Sequence, residues 1–172
     1  MQETVRLMSA HARQAFGELL ERHRKIVFKV ANTYAWSAHD RADLGQEIAA
    51  QLWRAFPGYD PQRPFSTWMY RIALNVGISQ LRDRSRRDRH TVALDESLHD
   101  TADQNGADFE SDDRVRALQR VIAELDGLNR ALLLLYLEDR SVREIGEILG
   151  LTETNVTTKI SRLKQRIRKD LG

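Results

Sequence analysis

Apolar residues recur along most of this chain at spacings of three and four, the period of helices lying against a core. Residues 1–10 are expected to be a loose lead-in. From Ala12, a stripe of Phe16, Leu19, Leu20, Ile26, Val27, Val30 and Tyr34 predicts a helical stretch, with Glu18, Glu21, Arg22, Arg24 and Lys25 outside it. A break over residues 37–40 precedes a helix at about 41–56, with Leu44, Ile48, Leu52, Trp53 and Phe56 inward and Asp43, Gln46 and Glu47 on its other side. Gly45 interrupts this helix at a cost of about 1 kcal/mol relative to Ala, and close packing against a neighbour is the expected reason. Pro57, Gly58, Pro61 and Pro64 mark a loop. A third helix follows from Ser66 or Thr67 to about residue 87, with Phe65, Trp68, Met69, Ile72, Ala73, Val76 and Leu81 on its apolar side.

Periodicity lapses over residues 91–112 and returns near Asp113. Val115, Leu118, Val121, Ile122 and Leu125 define a fourth helix, Asp126-Gly127 a turn, and residues 128–137 a fifth. The last thirty or so residues carry the sharpest local signals. Ser141-x-x-Glu144 reads as a capping box, each side chain meeting a free backbone N–H of the first turn. Gly150 stops that helix in a left-handed conformation, and Thr152 caps the next. In the final helix Val156, Ile160, Leu163, Ile167 and Leu171 form an apolar stripe. Lys159, Arg162, Arg166 and Lys169 lie nearly opposite, and Thr154, Asn155, Thr157 and Thr158 occupy the first turns. A helix-turn-helix reader of DNA needs this layout, with its apolar side on its own domain, short polar residues toward base edges and cations toward phosphates. An amphipathic helix with a solvated basic face is the plainer alternative.

The fold expected is therefore all-α: a helical domain over residues 10–90, a flexible linker over 91–112, and a helix-turn-helix domain over 113–172. Net charge is only +2, and the distribution of charge says more than the sum. Residues 91–113 hold no Lys or Arg but eight acids, Asp95, Glu96, Asp100, Asp103, Asp108, Glu110, Asp112 and Asp113. Basic residues crowd on either side, over 82–89 and 159–169, which suggests two basic surfaces joined by an acidic tether. The absence of cysteine excludes disulfides and thiolate metal sites. The five histidines have no metal-ligand spacing. No phosphate loop, nucleophile elbow or acid–base pair is found, so no cofactor and no enzymatic activity are expected. No apolar run approaches a membrane span.

Four segments, in order, resemble the sigma factors of bacterial RNA polymerase, specifically the small two-domain extracytoplasmic-function kind. Asp43-Leu44-Gly45-Gln46-Glu47 with Leu52-Trp53-Arg54-Ala55-Phe56 resembles the family's polymerase-clamp-binding helix. The run from Phe65-Ser66-Thr67-Trp68 through Arg71-Ile72-Ala73-Leu74-Asn75 resembles its promoter-melting helix, and the Arg-rich stretch after Leu81 the end of that helix. The helix-turn-helix from Ser141 resembles the domain that reads the minus-thirty-five element.

The resemblance implies roles. Asp43, Gln46 and Glu47 would face core RNA polymerase. Asn75, with Tyr59 and the rest of the 59–64 loop, would hold an unstacked base of the minus-ten element, and Arg82, Arg86 and Arg87 would contact DNA backbone beside it. Asn155, Thr157, Thr158, Lys159, Ser161, Arg162 and Arg166 would meet the minus-thirty-five element. The linker would run through the polymerase toward the RNA exit path. The partners implied are core polymerase, promoter DNA and an inhibitory anti-sigma factor, with action in the cytoplasm and no membrane insertion. Two residues depart from the family pattern: Gly45 stands where a larger apolar residue is usual, and Thr157 where many members are basic. No further C-terminal regulatory domain is expected. A self-sufficient helix-turn-helix regulator, reading two half-sites as a dimer, is the rival from another class.

Overall fold

The computed structural model describes residues 2–91 and 109–172, and among them all regular structure is helical. The order is α1 (Gln2–Arg22), α2 (Arg24–Tyr34), α3 (Ala38–Ala55), a 3-10 turn (Phe56–Gly58), α4 (Phe65–Thr91), α5 (Phe109–Glu124), α6 (Gly127–Leu137), α7 (Val142–Leu149) and α8 (Glu153–Leu171). Most of the tether expected over residues 91–112 lies outside the described residues.

Several boundaries differ from the periodicity. The segment expected to be a loose lead-in is helical from Gln2. The single stripe from Phe16 to Tyr34 is two helices, broken at His23, which has φ −111° and ψ 16°. Neither Gly nor Pro marks that break, so the pattern alone runs through it. Ser37, placed in a break, is the N-cap of α3, its side chain accepting from the Asp40 N–H at 3.0 Å. Helix α5 begins at Phe109, inside the stretch assigned to the tether. Val115, assigned to the core stripe of that helix, is 50% exposed. Asp126, read as part of a turn, caps α6 through the Asn129 N–H at 2.8 Å.

The N-terminal core packs α2, α3 and α4 around Val30, Leu44, Ile48, Leu52, Met69 and Ala73. Around it rings pack closely: Phe16 lies 5.2 Å from both Trp53 and Phe56, edge to face with each, and Trp68 lies tilted 5.2 Å from Phe65. Trp53 is less of a core residue than its period implies, being 39% exposed with one edge on Phe16. Gly45 is not forced by packing either, because a Cβ there would meet Val27 Cγ1 at an ordinary 3.7 Å.

Helix α4 buries two sides. Phe65, Met69, Ala73 and Val76 face their own domain. About 100° per residue puts Ser66, Tyr70, Gly77, Ile78 and Leu81 on an adjoining side, toward α6 and α7. The C-terminal helices thus share one continuous apolar core with the N-terminal ones. Arg130, only 4% exposed, sits at the junction. Its Nε and Nη2 donate to the carbonyls of Leu125 (3.0 Å) and Ala123 (2.9 Å) at the end of α5. Its Nη1 donates to the Thr33 carbonyl (3.3 Å) at the end of α2. One guanidinium therefore joins the C-termini of two helices, where cations are favoured by unpaired carbonyls and the helix dipoles.

Between α6 and α7 the chain turns through Asp139, which has a positive φ of 55°. This corner points its two neighbours at different helices. Glu138 pairs with Lys29 on α2, and Arg140 lies 5.1 Å over the Tyr70 ring on α4.

Candidate nucleic-acid interface

The helix-turn-helix is built locally as its sequence implies, with one substitution of partner. Ser141 Oγ accepts from the Glu144 N–H at 3.1 Å, but the Glu144 carboxylate meets Arg140 Nη1 at 3.3 Å, so the predicted reciprocal box is half replaced by an ion pair. Gly150 is left-handed at φ 70° and ψ 34°. The N–H groups of Gly150 and Leu151 both turn back to the Gly146 carbonyl, the closure of a Schellman motif. Thr152 Oγ1 then accepts from the Asn155 N–H at 3.1 Å and starts α8. Gly146, which the sequence reading passed over, is required: a Cβ there would stand 2.6 Å from the Leu151 carbonyl oxygen. A glycine inside a helical pattern was the available signal.

Helix α8 buries Val156, Ile160 and Leu163 against the domain. Asn155, Thr157, Thr158, Ser161, Arg162 and Arg166 are exposed, and Lys159 is half-buried. These residues do not form a single face. Thr158, Ser161 and Arg162 share the side opposite the apolar stripe, with Gln165 and Lys169 beside them. Thr157 lies on a flank, its hydroxyl donating to the Glu153 carbonyl at 3.0 Å. Arg166 Nε stands 3.8 Å from the Asp170 carboxylate.

The second face is the remaining side of α4. Arg71, Asn75, Ser79, Arg82 and Arg86 are all exposed and recur at spacings of four and three, making one polar, cationic stripe. Arg71 and Ser79 were not among the residues singled out in the sequence, although the same period marks them. Arg87 is also exposed. Arg84 is turned away, its Nη2 3.1 Å from Asp40 at the start of α3. Tyr59 is half-buried rather than displayed. Its ring stacks 6.0 Å from Phe56 and lies 5.1 Å from Trp68, while its hydroxyl donates to the Arg63 carbonyl at 2.8 Å and so holds the 59–64 loop against the domain.

The third face lies on α3. Asp43 and Gln46 are exposed and Glu47 is half-buried, the three falling within about 100° of helix turn. Asp43 stands 3.3 Å from His39 Nε2, and Glu47 accepts from Gln51 at 2.9 Å. Both carboxylates remain at the surface, suited to a cationic or hydrogen-bonding partner. No group of three or more His, Cys, Asp or Glu with metal-site geometry occurs among the described residues, and no helix there is long and apolar enough to cross a membrane.

These three faces fall within segments with known relatives. The family model for Sigma-70 region 2 matches residues 19–87, and that for Sigma-70 region 4 matches residues 115–167. The chain is 28% identical over 170 residues to the ECF RNA polymerase sigma factor SigW of Bacillus subtilis, covering 91% of this chain and 89% of that one. It is 30% identical over 163 residues to the ECF RNA polymerase sigma factor SigE of Mycolicibacterium smegmatis, covering 94% of this chain and 63% of that longer relative. In fold it is similar to CnrH, solved in complex with the cytosolic domain of CnrY, with a TM-score of 0.65, 22% identity and 96% of each chain covered. It is likewise similar to the sigma factor RpoE of Bartonella quintana, solved with the anti-sigma factor NepR, with a TM-score of 0.64, 18% identity, and 92% of this chain and 95% of that one covered. With a sigma region matched in each helical half, and relatives of one kind spanning both, the chain belongs to the sigma-70 family of RNA polymerase sigma factors, in its extracytoplasmic-function group.

Proposed function

We propose that the three faces divide the work of promoter recognition. Asp43, Gln46 and Glu47 bind core RNA polymerase. The α4 stripe, with Asn75 at its centre and Arg82, Arg86 and Arg87 toward its end, engages the minus-ten element and the edge of the melted bubble. The outer side of α8 reads the minus-thirty-five element through Asn155, Thr157, Thr158, Lys159, Ser161, Arg162 and Arg166. Residues 10–90 and 113–172 are the two working units, joined through 91–112. The observation that carries this reading is the coincidence of the α4 and α8 polar faces with the two matched sigma regions.

The physical division of labour is simple. Unstacking a base costs a few kcal/mol per step, and a polar pocket that holds the flipped base offsets it. Arginine contacts to phosphates supply affinity that is salt-dependent and blind to sequence. Base-edge contacts from α8 add about 1–3 kcal/mol each in discrimination. Tyr59 serves the pocket from behind, bracing the loop with its committed hydroxyl. The chain does no chemistry of its own in this reading. It acts in the cytoplasm, where the polymerase is, and is restrained by an anti-sigma factor, as a structural relative solved with one suggests.

Run-off transcription tests the proposal. Purified core polymerase with this protein should give discrete transcripts from fragmented source DNA, and Asp43→Ala with Glu47→Ala should abolish them. Absence of transcripts, together with tight binding of palindromic duplex without polymerase, would replace this reading with that of a free-standing regulator.

A further inference from the structure

Beside its buried stripe, α8 carries an outer side and two flanks. At about 100° per residue, Asn155, Lys159 and Arg166 fall on one flank and Thr157, Lys164 and Arg168 on the other, with Thr158, Ser161, Arg162 and Gln165 between them. The major groove is about 12 Å wide, close to the width of a helix with its side chains, about 10–12 Å. A helix seated there has the phosphates of one strand beside each flank. One flank brings Lys159 to them within its first two turns. The other has Thr157 at that level, an uncharged group whose hydroxyl donates to the Glu153 carbonyl at 3.0 Å. The first cation on that flank is Lys164.

What holds Lys164 is a ring. Its ammonium lies 4.5 Å from the centre of the Tyr136 ring, in the last turn of α6. Arg166, by comparison, stands 3.8 Å from the Asp170 carboxylate. A carboxylate orders a cation by cancelling its charge. An aromatic face orders it and leaves the charge in place, because the attraction is to the ring quadrupole. The ammonium has three N–H donors, and the ring engages it from one side only. Tyr136 is 40% exposed and Lys164 half-buried, so the pair sits at the edge of the α6–α8 contact, open to solvent. A lysine loses rotamer freedom when it binds. The ring removes part of that freedom beforehand, which is preorganisation of a contact not yet made.

We propose that Tyr136 is a positioning residue that holds Lys164 as a phosphate contact for duplex DNA, on the strand opposite to the one met by Lys159. This deepens the assignment of α8 to the minus-thirty-five element and rests on it. The contact is blind to sequence, so it adds affinity to specific and random duplex alike.

Titrations of the full chain with duplex DNA across salt concentrations test the pair. Lys164→Ala should lower the salt slope by about one, with an equal fold loss on random duplex and on a promoter duplex recovered by run-off transcription. Tyr136→Leu keeps the lysine but removes its ring, and should weaken binding about two- to fivefold. Tyr136→Phe keeps the ring face and should bind like the parent. In a Lys164→Ala background, Tyr136→Leu should cost nothing further, the mark of a coupled pair. Neutral methylphosphonates placed singly along the promoter duplex should lose their effect on holoenzyme binding at one strand in Lys164→Ala and at the other strand in Lys159→Ala. An unchanged slope in Lys164→Ala, an equal cost of Tyr136→Leu in both backgrounds, or both lysines mapping to one strand overturns the proposal. If Arg162→Ala weakens duplex binding and Lys164→Ala does not, the pair falls and the reading of α8 stands. If neither changes duplex binding, both fall.

Discussion

Replacing each of two interior helical glycines by alanine should move stability in opposite directions, which tests the reading of the helix-turn-helix. Alanine gains about 1 kcal/mol over glycine inside a helix from backbone entropy alone. At Gly45 the new methyl meets Val27 Cγ1 at 3.7 Å and nothing closer, so Gly45→Ala should keep most of that gain. At Gly146 the methyl would lie 2.6 Å from the Leu151 carbonyl oxygen. That oxygen is backbone and cannot rotate away. The turn must shift, which strains the Leu151 N–H to Gly146 carbonyl bond of 3.0 Å. Overpacking of this kind costs about 1–3 kcal/mol and a weakened hydrogen bond about 1 kcal/mol more, so the net loss for Gly146→Ala is about 1–3 kcal/mol. Urea unfolding followed by far-UV circular dichroism reads both. With a slope of about 2 kcal/mol per molar, the midpoint should rise by up to about 0.5 M for Gly45→Ala and fall by about 0.5–1.5 M for Gly146→Ala. Gly146→Ala should also weaken binding to specific duplex more than to random duplex, because the start of α8 is re-aimed. A rise in midpoint for Gly146→Ala would refute the claim that the turn requires a bare Cα.

Three further outcomes follow from the site geometry. Arg162→Ala, on the outer side of α8, should cost about 1–3 kcal/mol of specific binding if the side chain reaches a base edge, or lower the salt slope by about one if it reaches a phosphate; filter binding across salt concentrations separates these. On the proposed role of Asn75 as partner of an unstacked base, Asn75→Ala should leave closed-promoter binding within about twofold and reduce permanganate reactivity of the minus-ten region. His23 should make the fold acid-sensitive. Its pKa is lowered by burial against Phe65 and then by the nearby Arg22 and Arg140 charges. The native state thus resists a proton that the unfolded state accepts, and stability is full above about pH 6.5 and falls as pH drops through the native pKa. Urea midpoints from pH 8 to pH 5 should fall less in His23→Gln than in the parent.

What could be read from the sequence was what neighbours in sequence decide. Ser141, Gly150 and Thr152 act on N–H and C=O groups a few residues away, so the caps and the turn of the helix-turn-helix were legible, while Gly146 and the Arg140–Glu144 pair, which depend on the folded turn, were not. Leu44, Ile48 and Leu52 follow a period and were legible as core. The α1–α2 break at His23 was not, because no local signal breaks the stripe there. The junction was not, because Tyr34 and Gly127, whose carbonyl accepts from the Tyr34 hydroxyl, are 93 positions apart and neither is unusual alone. Arg130 carries no local signal; its value lies in three carbonyls at the ends of two other helices, α5 and α2. The α3 and α4 faces were found by resemblance first, and the period of exposed residues along α4 then extends that stripe to Arg71 and Ser79.

The Glu138–Asp139–Arg140 corner has a consequence for how such a protein diverges. One left-handed residue turns its two neighbours toward two different helices of the other half, so three consecutive codons set two of the contacts between halves. None of the three lies on α3's acidic side, the α4 stripe or the outer side of α8. Selection can therefore change how firmly the two halves hold together without touching a residue of those three faces.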